Sequence, residues 1–291
     1  MESKTSPQVI TSDSNANYPI KSTDTDSDPP NIRYAKELQE LRAKIYADPK
    51  LSDIKIEDRF LLTTLYSSLG DNRDTYKTLR EFLLFFQKYD YFRPEFPTNA
   101  EKIIKANVFT VSKAKKDDGS GLIIINCANW KLKSGILFDE LVRVCMTMIH
   151  IELQDEKSHR GGFQILADLR GVTWKHATKF SISYFRFMAD LQKFCTWQVR
   201  KVHILYDSFL IGILRRLAVP ALGKELHQKV IFHDRGLESL YEHCPKNMLP
   251  SKLGGNFDDE FTFEENMEKC RQAVADWKEI HKLLEDANVK L

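Results

Sequence analysis

The sequence predicts an α/β domain with a mostly parallel β-sheet, preceded by a small all-helical module. Two patterns support this fold class. Short apolar strands alternate with helical patterns from Leu122 to Gly255, as in βα units that build a parallel sheet. Between Asn31 and Ala106, apolar residues recur at helical spacing.

The composition is that of an ordinary folded chain. It has 291 residues, 42% of them hydrophobic, and a formal net charge of +2, which gives no general argument for nucleic acid as a partner. The five cysteines form no C-x-x-C pair and are odd in number, which argues against a disulfide framework or a cysteine zinc site. We expect a reducing compartment, no metal and no cofactor.

Nothing in the sequence predicts secretion or membrane insertion. The N-terminus lacks the apolar run of a signal peptide, and no stretch approaches the roughly 18 uninterrupted apolar residues of a membrane span. We therefore expect a cytoplasmic protein.

The N-terminal third divides into a tail and a module. Residues 1–30 are rich in Ser, Thr, Asp, Asn and Pro and predict a disordered acidic tail. Residues 31–106 predict the helical module, with helices from Asn31 to Asp48, Glu57 to Gly70, Asp74 to Tyr89 and Ala100 to Ala106.

Residues 107–258 form the predicted α/β domain, and residues 259–291 carry a final helix from about Phe263 to Leu284. The predicted strands are Leu122–Asn126, Phe163–Asp168, Val202–Tyr206 and Lys229–His233. The predicted helices are Leu137–Ile151, which is apolar on nearly every side, Ser181–Phe194 and about Ser208–Leu217. The segment Asp155–Gly162 is charged and predicts an exposed loop.

No motif predicts catalysis. The chain lacks a G-x-S-x-G nucleophile elbow, an H-E-x-x-H metal motif and both glycine-rich nucleotide motifs. His203 and His233 lie on neighbouring strands, either as hydrogen-bonded core histidines, which we favour, or as polar groups lining a cavity. We expect that the protein is not an enzyme.

The helix after Val202–Tyr206 has two useful faces. Its inner face carries a row of large apolar residues, Phe209, Leu210, Ile213, Leu214 and Leu217. Ile211 and Arg215 share the outer face, with Arg216 beside them. Periodicity alone fits an ordinary surface helix, but this outer face could also touch an anionic membrane.

Several landmarks around this helix carry a family resemblance. V-R-K-V-H-I-L-Y-D from Val199, P-A-L from Pro220, V-I-F-H from Val230 and L-P-S-K-L-G-G ending at Gly255 resemble the CRAL-TRIO family of lipid transfer proteins. The segment from Leu237 to Gly255 is most similar to the branch of the alpha-tocopherol transfer protein and the clavesins. The resemblance covers about residues 32 to 260, and the chain is a divergent member.

The resemblance implies a deep apolar cavity between a sheet and helices, covered by a mobile gate helix from about Ser208 to Leu217. By this matching, the cavity residues are Ile165, Ala167, Phe187, Leu191, Phe194, His203, Leu205, Phe209, Ile213, Leu214 and Leu217. The gate would face membranes through Ile211, Arg215 and Arg216. Arg200 and Lys229 match basic positions that hold a phosphoinositide head group in this branch, whereas Gln198 and Glu225 replace lysines there, which implies an altered head-group site.

These implications predict a non-enzymatic carrier that takes one hydrophobic small molecule or lipid and exchanges it at membranes. The alternative is a phosphoinositide-sensing or protein-interaction module that keeps the fold without ligand transfer. We expect a monomer that contacts anionic, phosphoinositide-containing membranes transiently, such as those of endosomes, and does not bind nucleic acid.

Overall fold

The structure is a computed structural model that describes residues 28–52, 55–68, 74–179, 182–194, 197–206, 227–256 and 262–286. The predicted tail lies almost entirely outside these residues, and the predicted gate helix lies wholly outside them. Within the described part, no helix combines the length and apolarity that crossing a bilayer requires.

A five-stranded sheet forms the centre of the described chain, and its strands follow one another in sequence order. The first pairs with the second as an antiparallel hairpin, and the other pairs are parallel. The strands are β1 (Phe109–Val111), β2 (Gly121–Asn126), β3 (Phe163–Asp168), β4 (Val199–Leu205) and β5 (Val230–Phe232). The mostly parallel α/β fold predicted from the sequence is confirmed.

Helices precede, connect and follow the strands. Those before β1 are α1 (Pro30–Arg33), α2 (Ala35–Ala47), α3 (Asp58–Ser68), α4 (Thr75–Lys88) and α5 (Ala100–Lys105). The later ones are α6 (Phe138–Glu152), α7 (Glu156–Gly161), α8 (Trp174–Ala177), α9 (Ile182–Phe194), α10 (Leu237–Tyr241) and α11 (Phe263–Asp286).

Aromatic side chains join the N-terminal helices to the rest of the core. In α4 the Asp74 carboxylate caps the helix by accepting from the Tyr76 amide at 3.0 Å, and the buried stripe includes Phe85 and Phe86. The Phe85 ring stacks on Phe187 of α9 with 5.7 Å between centroids. Helix α4 therefore packs directly against α9.

The segment Asp155–Gly162 differs from the exposed loop that its charges predict. It forms the short helix α7, with Ser158 and His159 buried. The Asp155 carboxylate caps it by accepting from the Ser158 amide, and Arg33 pairs with Glu156 at 2.9 Å. The charges are thus used for capping and for pairing with α1, which the local sequence does not reveal.

Two glycines with positive φ angles have neighbouring atoms where a Cβ would lie. Gly162, just before β3, has a φ of +68°, and a Cβ there would overlap the carbonyl oxygen of Gln198. Gly254 has a φ of +70°, and a Cβ would overlap the Tyr241 hydroxyl, which donates to the Leu253 carbonyl at 2.9 Å. Both positions therefore require glycine.

Candidate functional site: an uncharged cavity on one face of the sheet

An apolar cavity of about 210 Å³ lies between the sheet and the helices that cover one of its faces. Because side chains alternate along a strand, every second residue of β2 to β5 reaches it. The strand residues that line it are Ile123, Ile125, Ile165, Ala167, Val202, Ile204, Val230 and Phe232.

Two helices provide the opposite wall. The contributing residues are Phe138, Leu141, Val142, Cys145, Met146 and Ile149 of α6, and Tyr184, Phe187, Met188 and Leu191 of α9. The rim is completed by Val108, Phe109, Cys127, Trp130, Leu169 and Trp197. None of these described lining residues is charged, so the cavity favours an apolar molecule over an ionised one.

Three titratable groups interrupt this lining, and burial keeps them protonated. Burial, with a smaller contribution from the charge of Asp168, raises the pKa of the Cys127 thiol to about 12. Burial raises the pKa of Cys145 to about 12 as well, and it also raises the pKa of Tyr184. At neutral pH these groups offer weak thiol contacts and one phenolic hydroxyl, but no charge.

The structure brings together four of the predicted wall residues. Ile165 and Ala167 of β3 lie opposite Phe187 and Leu191 of α9 in the lining. Phe194 ends α9, but its side chain lies outside the described part of the chain. The role of these residues in holding a ligand stays a prediction.

His203 and Leu205 do not line the cavity, which corrects the prediction for both. Their side chains lie on the opposite face of β4, where Leu205 packs in a cluster with Leu166 and Leu240. The neighbouring Val202 and Ile204 line the cavity instead. The cause is the period of two along a strand, because a shift of one residue moves a side chain to the other face.

His203 belongs to a chain of buried hydrogen bonds on that far face. Since Gln164 Oε1 can only accept, His203 Nε2 donates to it at 3.0 Å. His203 Nδ1 then accepts from His233 Nε2 at 3.0 Å, and His233 Nδ1 accepts from the Ser239 hydroxyl at 2.6 Å. This chain joins β3, β4 and α10 through neutral imidazoles, as expected for hydrogen-bonded core histidines.

Burial and neighbouring histidines keep the imidazoles of this hydrogen-bonded series neutral. Burial, followed by the charge of His233, lowers the pKa of His203 to about 3. Burial and the charge of His243 also lower the pKa of His233.

No group of three or more His, Cys, Asp and Glu side chains in the described residues is arranged to hold a metal ion.

The two predicted head-group residues have different surroundings. The Arg200 guanidinium is partly buried and donates to the carbonyl oxygens of Gly161 at 2.9 Å and Arg160 at 3.0 Å, at the end of α7. The Lys229 carbonyl accepts from the Val202 amide at 2.9 Å, which continues the pairing between β4 and β5. A role of either side chain in binding a head group stays a prediction.

The remaining predicted site residues lie outside the described residues, because they all fall within positions 207–226. They are Phe209, Ile211, Ile213, Leu214, Arg215, Arg216 and Leu217.

Sequence reasoning missed more than half of the lining. It did not identify the α6 residues, because that helix is apolar on nearly every side and its sequence does not show which side meets a cavity. It also missed the thiols of Cys127 and Cys145. The alternation of side chains along β2, β4 and β5 could have identified the strand residues of the lining. Both faces of these strands are covered and largely apolar, however, so the sequence does not show which alternate residues face the cavity.

Comparison with known proteins identifies the fold family. The chain is 23% identical to Clavesin-1 of Rattus norvegicus over 225 residues, covering 76% of this chain and 63% of that protein. It is 22% identical to Clavesin-2 of Homo sapiens over 233 residues, covering 76% and 68%. The alignment thus spans less than two thirds of the length of Clavesin-1.

The solved structure of Sfh5 shares the fold, with a TM-score of 0.51 and 9% sequence identity over 86% of this chain and 99% of the other. The model of the CRAL/TRIO domain matches residues 105–255, just over half of the chain. The matched residues contain all five strands of the described sheet and all of the described cavity lining. The chain therefore belongs to the CRAL/TRIO family of lipid-binding and lipid-transfer proteins.

Proposed function

We propose that the protein is a non-enzymatic carrier that binds one hydrophobic small molecule or lipid in the cavity and exchanges it at membranes through a mobile gate helix. The observation that supports this best is the cavity, whose described lining is uncharged and formed largely by aliphatic and aromatic side chains. A ligand that buries ~300 Å² of apolar surface gains roughly 7 kcal/mol before the costs of binding.

The described residues on either side of positions 207–226 support a gate over this cavity. The last β4 residue in the lining is Ile204, and the first lining residue after the segment is Val230. Described lining residues therefore flank the segment in sequence on both sides. Its sequence supplies an apolar face for the ligand and an outer face with Ile211 and Arg215 for the membrane.

The carrier proposal is favoured over an interaction module with a filled core, because the cavity is open space between side chains that are otherwise closely packed.

We further propose that the carrier is cytoplasmic and monomeric and associates transiently with endosomal or other intracellular membranes. A phosphoinositide site at Arg200 would require the guanidinium to leave the α7 carbonyls or to bind both partners.

Native mass spectrometry tests the carrier directly. The purified protein is incubated with a lipid extract, and the expected result is one added mass per chain, released by organic solvent. Ala167→Phe places a large ring in the cavity and should reduce loading at least tenfold, whereas the same change at the exposed Ala43 of α2 should leave it unchanged. A protein that never accepts a hydrophobic molecule would refute the proposal.

The gate is tested separately by exchange between vesicles. Ile211→Asp combined with Arg215→Asp should slow transfer of a loaded ligand between liposomes while leaving ligand capacity in detergent unchanged. Unchanged transfer would show that this outer face does not touch the membrane.

A further inference from the structure

Two loops carry exposed apolar and basic side chains beside the cavity, at the carboxyl end of the parallel strands β2 and β3. Trp174 at the start of α8 is 54% exposed, and Leu137 before α6 is 67% exposed. Four exposed lysines flank them. We call this surface the tryptophan patch, and its residues are Leu137, Trp174, Lys131, Lys133, Lys175 and Lys179.

Trp130 holds the two loops of the patch together. The amide of Thr173 donates to His176 Nδ1 at 3.2 Å, which leaves His176 Nε2 to donate to the Trp130 carbonyl at 3.0 Å. The Trp130 ring also contacts His176 and Phe138, with centroids 5.8 Å and 5.7 Å away. Since Trp130 and Phe138 line the cavity, the patch and the cavity share one wall.

The patch has an excess of positive charge. In the part of the chain that the structure describes, none of its four lysines forms an ion pair with an acidic side chain, and the Lys131 ammonium donates to the Ala128 carbonyl of its own loop. The nearest acidic groups in sequence to the first loop, Asp139 and Glu140, accept hydrogen bonds from Tyr91 and Asn99 at 2.9 Å, and Asp168 before the second loop pairs with Arg170 at 2.8 Å. They offset only part of the lysine charge.

We propose that the tryptophan patch is a contact surface for an anionic lipid bilayer, with Trp174 and Leu137 in the head-group region and the four lysines against anionic lipids. The proposal rests on the proposed carrier function, and it adds a second contact to the one predicted for the gate. Trp is the side chain that favours the membrane interface, and each lysine near an anionic surface adds attraction.

Several features favour a bilayer over an acidic protein. The two large apolar side chains protrude from separate loops, so they present two isolated anchors and no continuous apolar groove for a partner helix or strand. None of the four lysines is paired with an acidic side chain in the described residues, which suits a fluid surface of mobile charges. The shared wall places the contact beside the cavity.

Trp174 provides an internal reporter, because the other three tryptophans, Trp130, Trp197 and Trp277, are at most 4% exposed. The full-length protein is mixed with vesicles of phosphatidylcholine alone or with about 30% phosphatidylserine. We expect a blue shift and quenching by acyl-brominated lipid with the anionic vesicles only. Both signals should vanish in Trp174→Phe. Vesicle binding that leaves Trp174 emission unchanged would overturn the proposal.

A charge-matched pair of variants tests the lysines. Replacing all four patch lysines with Gln should lower partitioning onto anionic vesicles about 100-fold or more. The control replaces four exposed lysines of the N-terminal segment with Gln, namely Lys36, Lys50, Lys55 and Lys77. Its partitioning should fall less than about threefold. Equal losses in both variants would overturn the proposal, since net charge alone would then explain binding.

Two further measurements separate the possible failures. If polyglutamate shifts Trp174 emission and anionic vesicles do not, the partner is an acidic protein and the bilayer proposal is wrong. Ligand loading is measured by native mass spectrometry without vesicles. A wild-type protein that takes up no ligand in that measurement would therefore count against the carrier proposal alone. The lysine variant should still load ligand.

Discussion

Replacing His203 with Gln should make the stability of the protein less sensitive to mild acid. His203 is fully buried between Gln164 and His233, and burial followed by the charge of His233 lowers its pKa to about 3. A Gln side chain can donate to Gln164 and accept from His233, but it does not titrate. The comparison therefore isolates the effect of one buried imidazole.

The magnitude follows from the two protonation states. An unfolded histidine takes up its proton near pH 6.5, whereas folded His203 does so only near pH 3. Below pH 6.5 the unfolded chain binds the extra proton, so the free energy of unfolding falls by about 1.4 kcal/mol for each pH unit. At pH 5 the wild-type protein has lost about 2 kcal/mol from this residue alone.

The histidine effect occurs in a different pH range from that of the carboxylates whose pKa values are lowered in the folded protein. Hydrogen bonds and neighbouring cations outweigh burial and lower the pKa values of Asp118, Asp155 and Asp276. Their stabilisation is lost only as the pH falls below the unfolded value of about 3.9. A loss between pH 6.5 and about pH 5 is therefore attributable to histidines.

Urea denaturation followed by circular dichroism at pH 7.5, 6.5 and 5 would measure this. The difference in unfolding free energy between wild type and His203→Gln should shrink by about 2 kcal/mol from pH 7.5 to pH 5. The matched control is His227→Gln, which removes an exposed histidine. If wild type and His203→Gln lose the same stability, the buried neutral imidazole is not the cause.

Two predictions concern the rest of the fold. Asp276→Asn should reduce the unfolding free energy by about 2 kcal/mol. The buried carboxylate accepts hydrogen bonds from His150 and Gln154 at 2.9 and 2.8 Å, and it pairs with the partly exposed Arg59. An unchanged urea midpoint would contradict this prediction. Gly254→Ala should lower stability by about 2 kcal/mol or more, since the residue has a positive φ and a Cβ would overlap the Tyr241 hydroxyl. Thermal unfolding of Gly254→Ala beside wild type measures that loss.

The sequence predicted those elements whose own residues determine them. The strand Phe163–Asp168 was predicted with the bounds that the structure has, because a short apolar run lies between a glycine pair and a charged turn. The final helix begins at Phe263 as predicted and extends to Asp286, two residues beyond the predicted end. In both, local pattern and tertiary packing favour the same structure.

The cavity lining depends on packing that one strand does not encode. Along β4, Val202, His203, Ile204 and Leu205 are all apolar or buried, because helices cover one face of the sheet and α10 with its following turns covers the other. A register shift between β3 and β4 lies just before these residues. The assignment of side chains to the two faces therefore needed the three-dimensional structure.

The tryptophan patch shows a similar limit. Trp174 and Leu137 are 37 positions apart, and the contacts of His176 and Phe138 with Trp130 bring their loops together. Neither loop alone has the periodicity that marks an amphipathic membrane helix. Their common surface is a consequence of the parallel sheet, which places the ends of β2 and β3 side by side.

The location of a bound ligand tests the central claim most directly. A hydrophobic probe with a photoreactive diazirine on its chain is loaded into the protein, irradiated, and mapped by peptide mass spectrometry. The account predicts cross-links to cavity-facing residues such as Ile165, Phe187 and Ile204, and their loss in Ala167→Phe. Cross-links confined to the outer surface, or to the far face around Leu205 and Leu240, would contradict it.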